Sequence, residues 1–314
     1  AAVTVRNPLT GLYVAKTNTL VAVKVANTPP ARPQSGLRSA DQIWVEEQEG
    51  GWTRFIALYG AGYPAKVGPV RSGRETDLMA LPQFGKPGLA YAGADAPVQA
   101  LIASNPRVVD LGKDAQVNST PIRPTSYFFD ATRKTPYNFY VKANYLRYWG
   151  TLGGATKARS MGFAFGRPRV AGVKTTSLNV VWSKRSSMQA VWSKALGAWV
   201  MYADGKVLRD RETLKPLTAA NVVVMRVGYS LSKVNSSTYP VPILKPVGRS
   251  SVTVLRQGYR WVGTWQRTSL TTGTYLKDKA GRPITLAPGQ TWVMLVPVGR
   301  SLVAPYVQHT VTVR

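Results

Sequence analysis

The sequence predicts an α+β protein in two parts, a mixed α/β N-terminal domain over residues 1–160 and a β-rich C-terminal domain over residues 161–314. Three observations lead to this fold class. A chain of 314 residues is longer than one minimal core requires. Helical spacing of apolar residues occurs only in the first half, whereas strict alternation dominates the second. Glycines at positions 150, 153 and 154 end the last helical pattern and place the boundary near residue 160.

The first half combines strand and helix patterns. The segment Leu20–Ala26 is rich in β-branched residues and ends in a turn that contains Pro29-Pro30, which is typical of a strand. The segments Gln42–Gln48 and Trp52–Tyr59 flank Gly50-Gly51 and predict a β-hairpin. Apolar residues recur at helical spacing over 74–84, 97–104 and 141–149, so we expect helices there.

The second half has a period of two almost throughout. Segments 177–182, 188–192 and 198–202 predict a meander. Val181-Trp182-Ser183-Lys184 recurs ten residues later at 191–194, and because no other segment shares this period, the echo indicates paired strands rather than a solenoid repeat. Further strands are expected at 222–227, 251–256, 259–266, 291–296 and 307–314.

The charge of the chain is strongly positive. Lys and Arg number 41 against 14 acids, a net charge of +27. Residues 1–160 carry 19 bases and 10 acids, whereas residues 161–314 carry 22 bases and 4 acids. A field of this sign attracts polyanions, so the expected partners are an anionic cell-envelope polymer, a membrane surface or another envelope protein. The alternative is that the charge serves solubility alone.

The composition also bounds the chemistry. The chain has no cysteine, which excludes thiolate nucleophiles and thiolate metal sites and favours a location outside the cell. With one histidine and 14 acids, neither a metal nor a cofactor is expected. No stretch approaches the roughly 18 apolar residues of a membrane helix, so no transmembrane span is expected.

A basic segment in the first half is the strongest candidate for a binding site. Ser72, followed three residues later by Glu75, predicts a capping box and the start of a helix. The free main-chain N–H groups of such a start, together with the guanidinium groups of Arg71 and Arg74, suit a phosphate or a carboxylate. The alternative is a capped helix whose arginines form ion pairs with the glutamates at 46, 47 or 49.

Three further residues are expected to complete this pocket. Arg54 follows the hairpin turn, and Arg133 and Asn138 begin and end a polar loop before the aromatic pair Phe139-Tyr140. We predict that Arg54, Arg133 and Asn138 join Arg71, Ser72 and Arg74 in binding one anionic ligand.

Ordered motifs spread over nearly the whole chain connect it to a known family. They are Asn7-Pro8-Leu9-Thr10-Gly11, residues 31–37 with Ala40-Asp41, Glu49-Gly50-Gly51 with 53–55, 67–72 with Arg74, Arg133-Lys134 with Pro136 and Asn138, 221–224, 263–265 and 288–292. In these motifs the chain resembles the YerB-like lipoprotein family, a family of unknown function in bacterial envelopes. The resemblance implies a secreted, lipid-anchored, extracytoplasmic protein with a mixed N-terminal and a β-rich C-terminal domain, and it supplies no activity. One position departs from the family pattern, because Tyr137 stands where a histidine precedes the asparagine of the Pro-x-Asn loop.

The residues that commonly perform catalysis are scarce. His309 is the only histidine, and the alternating tail 307–314 predicts that it faces solvent on a strand. Glu47 and Glu49 share one strand face and Glu46 takes the other, but nothing fixes the second member of a catalytic carboxylate pair.

These observations favour a non-catalytic, envelope-associated protein that binds an anionic glycopolymer, a lipid headgroup or a partner protein. The first alternative is a hydrolase or transferase for a phosphate- or carboxylate-bearing envelope substrate, with Arg71 and Arg74 holding the anion and Glu46 or Asp95 as base. The second is nucleic-acid binding through bases and aromatics that interleave at 145–149, 259–261 and 265–267. No named nucleic-acid motif occurs, and an extracellular location argues against that alternative.

Overall fold

A computed structural model of the chain describes residues 4–234, 239–303 and 308–314. Its strands in the first half are β1 Val5–Arg6, β2 Tyr13–Val14, β3 Val21–Ala26, β4 Gln42–Glu47, β5 Thr53–Tyr59, β6 Gly88–Ala90, β7 Val109–Asp110, β8 Gln116–Val117, β9 Thr120–Pro121, β10 Tyr127–Phe129 and β11 Phe139–Val141. Those in the second half are β12 Val173–Lys174, β13 Ser177–Ser183, β14 Ser186–Ser193, β15 Ala198–Ala203, β16 Lys206–Val207, β17 Thr218–Ala219, β18 Asn221–Leu231, β19 Pro242–Lys245, β20 Gly248–Arg256, β21 Tyr259–Arg267, β22 Tyr275–Lys277, β23 Thr291–Pro297 and β24 Thr310–Val313. The α-helices are α1 Glu75–Ala80, α2 Ala96–Ala103, α3 Arg123–Ser126 and α4 Ala143–Leu152, and short 3₁₀ helices cover Pro29–Ala31, Leu37–Ser39, Glu49–Gly51 and Leu81–Phe84.

One twelve-stranded sheet runs through both halves of the chain. Its order is β12-β21-β20-β18-β23-β4-β5-β3-β6-β7, with β19 paired to β18 and β22 paired to β21. The halves meet where β23 pairs parallel with β4, from Thr291 opposite Gln42 to Met294 opposite Val45. The first and second halves therefore share main-chain hydrogen bonds as well as a core.

A second sheet has six strands in the order β16-β15-β14-β13-β24, with β17 paired to β15. The predicted meander is confirmed, because β13, β14 and β15 pair antiparallel in succession. The repeated Val-Trp-Ser-Lys sequence lies on the two paired strands β13 and β14, as the echo predicted. Trp182 on β13 is fully buried and donates its indole N–H to the main-chain oxygen of Leu295, which ties this sheet to the large one.

The large sheet is covered on both faces, which explains its continuous apolar strands. All six residues of β3 are buried. Val21, Val23 and Val25 pack towards the second sheet and α4, whereas Ala22 packs in the other core with residues of α1, α2 and the 3₁₀ helix Leu81–Phe84. The one charged residue in this strand, Lys24, is therefore buried as well.

The predicted secondary structure agrees closely with these elements. The hairpin β4–β5 forms around the expected glycines, and helical turns occur at all three predicted places. The structure is rich in strands, and the four α-helices of the described residues all precede Gly153. None of the helices in the described ranges has the length and apolarity needed to span a membrane.

Candidate functional site

A cleft of about 270 Å³ opens where the end of β3, the β4–β5 hairpin and the segment 69–71 meet. The segment 69–71 extends beside β3, because the N–H of Ala26 donates to Pro69 O and the N–H of Arg71 donates to Lys24 O. This pairing directs Arg71 into the cleft. The walls are formed mainly by Asn27, Gln48, Glu49, Trp52, Arg54, Arg71 and Tyr137.

Arg71 is the cationic side chain of the cleft that lacks an acidic partner. Among the described residues it forms no ion pair. Its guanidinium carbon lies 5.0 Å from the ring centre of Tyr137, within the range of a cation–π contact. Tyr137 thus serves as a wall against which this arginine stacks.

Arg54 and Arg74 share a single carboxylate. The Glu49 Oε2 atom lies 3.8 Å from the guanidinium of Arg54, and the other oxygen contacts that of Arg74. Arg54 also donates to Gln48 Oε1 at 3.1 Å and to the Ser72 main-chain oxygen at 3.5 Å. Two guanidinium groups therefore share one glutamate, and a third, that of Arg71, lines the same cleft.

The crowding of positive charge is visible in the pKa values. Burial, together with the nearby charges of Arg74 and Arg71, lowers the pKa of Arg54 to about 10 against the opposing effect of Glu49. Burial alone would raise the pKa of Glu49, but Arg54 and Arg74 outweigh it and hold that pKa below its ordinary value. The electrostatic environment of the cleft favours an additional negative charge.

The predicted capping box at Ser72 and Glu75 is wrong. The extended backbone of Arg74, with φ of −142° and ψ of 158°, makes Arg74 the N-cap and delays the start of α1 to Glu75. Its N–H donates to Asp77 Oδ2 at 2.8 Å, so Asp77 caps the helix from inside. Ser72 contributes to the cleft only through its main-chain oxygen, which accepts a hydrogen bond from Arg54. The helix α1 begins at Glu75, outside the cleft walls.

The other predicted site residues lie in different surroundings. Arg74 is buried in its ion pair with Glu49, which is the alternative that the sequence left open for it. Arg133 donates to Pro30 O at 2.8 Å and to Pro33 O at 3.1 Å, so it ties two loops together outside the cleft walls. Asn138 follows Tyr137 and accepts a hydrogen bond from the Asp130 N–H through its main-chain oxygen. The structure thus brings Arg54 and Arg71 into one cleft, with the Ser72 carbonyl beside them.

Sequence reasoning missed a buried charged cluster beside the cleft. Lys24, Glu46 and Asp77 have no exposed side-chain surface, and Lys24 contacts both carboxyl groups. Burial raises the pKa of Glu46 to about 7, with Lys24 opposing the shift and Asp77 adding to it. The sequence did contain an indication of this cluster, a lysine inside the apolar run Val21–Ala26. Because the sheet is covered on both faces, this lysine is buried and needs buried acidic partners.

The expectation for His309 is also wrong. Its side chain is fully buried, with Nε2 3.0 Å from Glu47 Oε2 and Nδ1 3.0 Å from Gly299 O. Ser301 Oγ donates to the other Glu47 oxygen at 3.2 Å. Because His309 precedes β24, the alternation of that strand does not determine where its side chain points.

Glu46 and Asp95 are the two candidate bases of the hydrolase or transferase alternative. Glu46 is fully buried, Asp95 precedes α2, and neither lines the cleft. Within the described ranges, no three histidine or acidic side chains cluster as a metal site would require.

Of the three segments proposed for single-stranded nucleic acid, 265–267 has its aromatic residue and its arginine inside, whereas Tyr145, Tyr148 and Tyr259 are exposed. Trp265 and Arg267 are both buried on the same face of β21. Arg267 is two residues from Trp265, so alternation along the strand places both side chains on the buried face. Its guanidinium donates to three main-chain oxygens, those of Pro246, Leu270 and Thr272.

The fold and the cleft define a sheet-rich protein of two sequence regions with a basic, aromatic-walled depression. Residues 9–154 match the family described as "Protein of unknown function (DUF3048) N-terminal domain", and residues 178–293 match its C-terminal domain. The chain belongs to this YerB-like family of unknown function. The predicted boundary at residue 160 falls between the two matched ranges.

Two comparisons with individual proteins agree with this assignment. The chain is 24% identical over 298 residues to "Putative lipoprotein YerB" of Bacillus subtilis (strain 168), covering 92% of this chain and 86% of that protein. The crystal structure of the YerB protein from Bacillus subtilis superposes with a TM-score of 0.78 at 21% identity, covering 98% of this chain and 99% of the other. The second comparison shows that the fold is shared.

Proposed function

We propose that the chain is a non-catalytic, envelope-associated binding protein and that the cleft between Arg54 and Arg71 receives an anionic group. The observation that carries the proposal is the guanidinium group of Arg71, which faces the cleft without an acidic partner among the described residues. Arg71 is partly buried and has no counter-charge among the described residues, so it offers an incoming phosphate or carboxylate both charge and hydrogen bonds.

The walls specify the kind of ligand. Trp52 and Tyr137 present aromatic surface, while Asn27 and Gln48 add amide groups. A cleft of about 270 Å³ accommodates one anionic unit with a small organic group, and it is smaller than the pockets that enclose whole drug-sized ligands. We infer that the ligand is the phosphate- or carboxylate-bearing unit of an envelope glycopolymer or lipid headgroup.

The rest of the chain supplies long-range attraction. In this proposal the mixed α/β domain of residues 1–160 holds the pocket, and the basic β-rich domain of residues 161–314 draws the polyanion towards it. The excess of 22 bases over 4 acids in the second half supports that role. The name of the Bacillus relative supports a lipid-anchored, extracytoplasmic location.

The test is binding of glycerol phosphate and of purified lipoteichoic acid by titration calorimetry, with Arg71→Ala as the variant. Loss of a charged hydrogen-bonding group costs about 1.5–3 kcal/mol, so the dissociation constant should rise by about 10- to 100-fold. Arg107→Ala removes the same charge from an exposed position and serves as the matched control. Its binding should stay within about twofold of wild type, since a distant surface charge contributes only screened attraction.

Two results would count against the proposal. The first is no binding at low salt, or binding that does not weaken as salt is raised. The second is an equal effect of Arg71→Ala and Arg107→Ala, which would leave general charge as the sole cause. Turnover of the bound polymer by wild type, lost in Arg71→Ala, would replace the proposal with the hydrolase or transferase alternative.

A further inference from the structure

The buried cluster of Lys24, Glu46 and Asp77 joins three elements of the first half. Lys24 lies on β3, Glu46 on the second strand from it and Asp77 in the first turn of α1. None of the three side chains has exposed surface. A lysine amine is thus held in a closed site against two carboxyl groups.

We propose that Lys24 and Asp77 react with each other to form an intramolecular isopeptide bond, with Glu46 as the catalytic acid and base. The proposal is independent of the anion-binding function. It assigns to this cluster a modification that links β3 covalently to α1.

The positions of the atoms suit amide formation. The Lys24 Nζ atom lies 2.8 Å from Asp77 Oδ1, close to the carbon that it would attack. The other Asp77 oxygen accepts the main-chain N–H of Arg74 at 2.8 Å, which polarises the carboxyl group and stabilises the negative charge that develops on this oxygen. Lys24 contacts Asp77 Oδ1, and the Arg74 N–H holds Asp77 Oδ2. Oδ1 is therefore the oxygen that leaves.

Glu46 is placed to transfer the protons. One of its oxygens contacts Lys24 Nζ and accepts a hydrogen bond from Gln48 Nε2 at 2.6 Å. Its Oε2 atom is buried and has no hydrogen-bond partner among the described residues. A carboxyl group whose pKa is about 7 can be protonated or ionised near neutral pH, as a residue that both accepts and donates a proton requires.

The reaction balances without an external reagent. A proton first passes from the Lys24 ammonium to Asp77 Oδ1, and the resulting amine attacks the carboxyl carbon of Asp77, so that a carbon–nitrogen bond forms. Glu46 takes a proton from the attacking nitrogen and returns it to the departing Oδ1, so that the carbon–oxygen bond breaks and one water molecule leaves. The products are a secondary amide and the regenerated Glu46 carboxyl group, with no oxidation or reduction.

The closed environment favours the uncharged product. One ammonium and two carboxylates would place three charges in a site without exposed surface, which carries a large desolvation cost. Amide formation removes two of these charges and leaves Glu46 as the one ionisable group of the cluster. The amide oxygen keeps the hydrogen bond from Arg74 N–H.

The test is the intact mass of the folded, purified chain. The proposal predicts a mass lower than the sequence mass by one water molecule, about 18 Da, and a branched peptide containing Lys24 and Asp77 after digestion. The pair Lys66–Asp130 is an internal control, because its nitrogen and oxygen lie 2.5 Å apart but the Lys66 side chain is partly exposed. Peptides containing Lys66 and Asp130 should remain separate.

Variants assign the roles. Asp77→Asn should lose ammonia instead of water, whereas Lys24→Arg and Glu46→Gln should keep their full sequence masses. A folded wild-type chain at its full sequence mass would overturn the proposal, and this result does not depend on how well any variant folds. A cross-link from Lys24 to Glu46 would overturn the assignment of Asp77 as the partner.

Discussion

Replacing His309 with alanine would leave the carboxyl group of Glu47 buried without its ring partner. Both side chains are fully buried, and the two ring nitrogens lie 3.0 Å from Glu47 Oε2 and from Gly299 O. The His309 ring contacts both of these oxygens, so its removal breaks both contacts. Removing one partner of a buried pair costs about 3–5 kcal/mol.

The expected change in melting temperature follows from chain length. A chain of 314 residues has an unfolding entropy of about 0.66 kcal/mol per kelvin. A loss of about 4 kcal/mol should therefore lower Tm by about 6 °C. Circular dichroism during heating and urea titration of the same samples measure the two quantities independently.

Glu47→Gln is the control for this prediction. Glutamine keeps the shape of the side chain and one oxygen that can face the histidine ring, so we expect a smaller loss, about 1–2 kcal/mol. In the double variant the two losses should not add, because each substitution removes the same contact. A loss below about 1 kcal/mol for His309→Ala, or strict additivity, would show that the pair does not stabilise the fold as described.

Three further predictions concern the core and the sheet. Glu46→Gln should flatten the pH dependence of stability. Because the pKa of Glu46 in the folded protein is raised from 4.5 to about 7, the stabilisation from protonated Glu46 is fully present below pH 4.5 and is lost as the pH rises through about 7. Urea midpoints measured from pH 4 to pH 8 check this. Trp182→Ala should cost about 3–5 kcal/mol, because it empties a fully buried site between the two sheets, and urea unfolding measures the loss. Gly263→Ala should weaken the pairing of β21 with β22, because the new methyl group would overlap the main-chain oxygen of Lys277, and faster hydrogen exchange in β22 reports it.

Each of these has its own contradicting result. An unchanged pH profile in Glu46→Gln would mean that another group is responsible for the slope. A loss below about 1 kcal/mol in Trp182→Ala would mean that the interface between the sheets collapses around the cavity. For the glycine, Gly228→Ala is the matched control, since a methyl group there meets no atom within 4 Å. Equal exchange in the two variants would remove the steric explanation.

Local patterns in the sequence were sufficient for most of the secondary structure. Alternation and turn glycines predicted the β4–β5 hairpin and the meander from Ser177 to Tyr202, because neighbouring strands on a chain pair with each other. Helical spacing placed α1, α2 and α4 within a few residues. These elements depend on residues close in the sequence.

The remaining features depend on contacts between distant residues. The parallel pairing of β23 with β4 joins residues about 250 positions apart, and no periodicity in the sequence predicts it. The cap of α1 lies at Arg74 and not at Ser72, because the Asp77 carboxylate accepts the main-chain N–H of Arg74. His309, just before β24, is buried against Glu47 of β4. The sequence analysis named Arg54 and Arg71, which line the cleft. It did not name Lys24, which lies in the buried cluster beside the cleft.

The junction of β23 with β4 has a consequence for biosynthesis. Until residues 291–297 leave the ribosome, one side of β4 presents unpaired N–H and C=O groups. An emerging first half cannot complete its own sheet, so the two sequence regions cannot mature one after the other as independent modules. A fragment ending near residue 160 should accordingly aggregate through that open edge, and adding the missing second half in trans should rescue it.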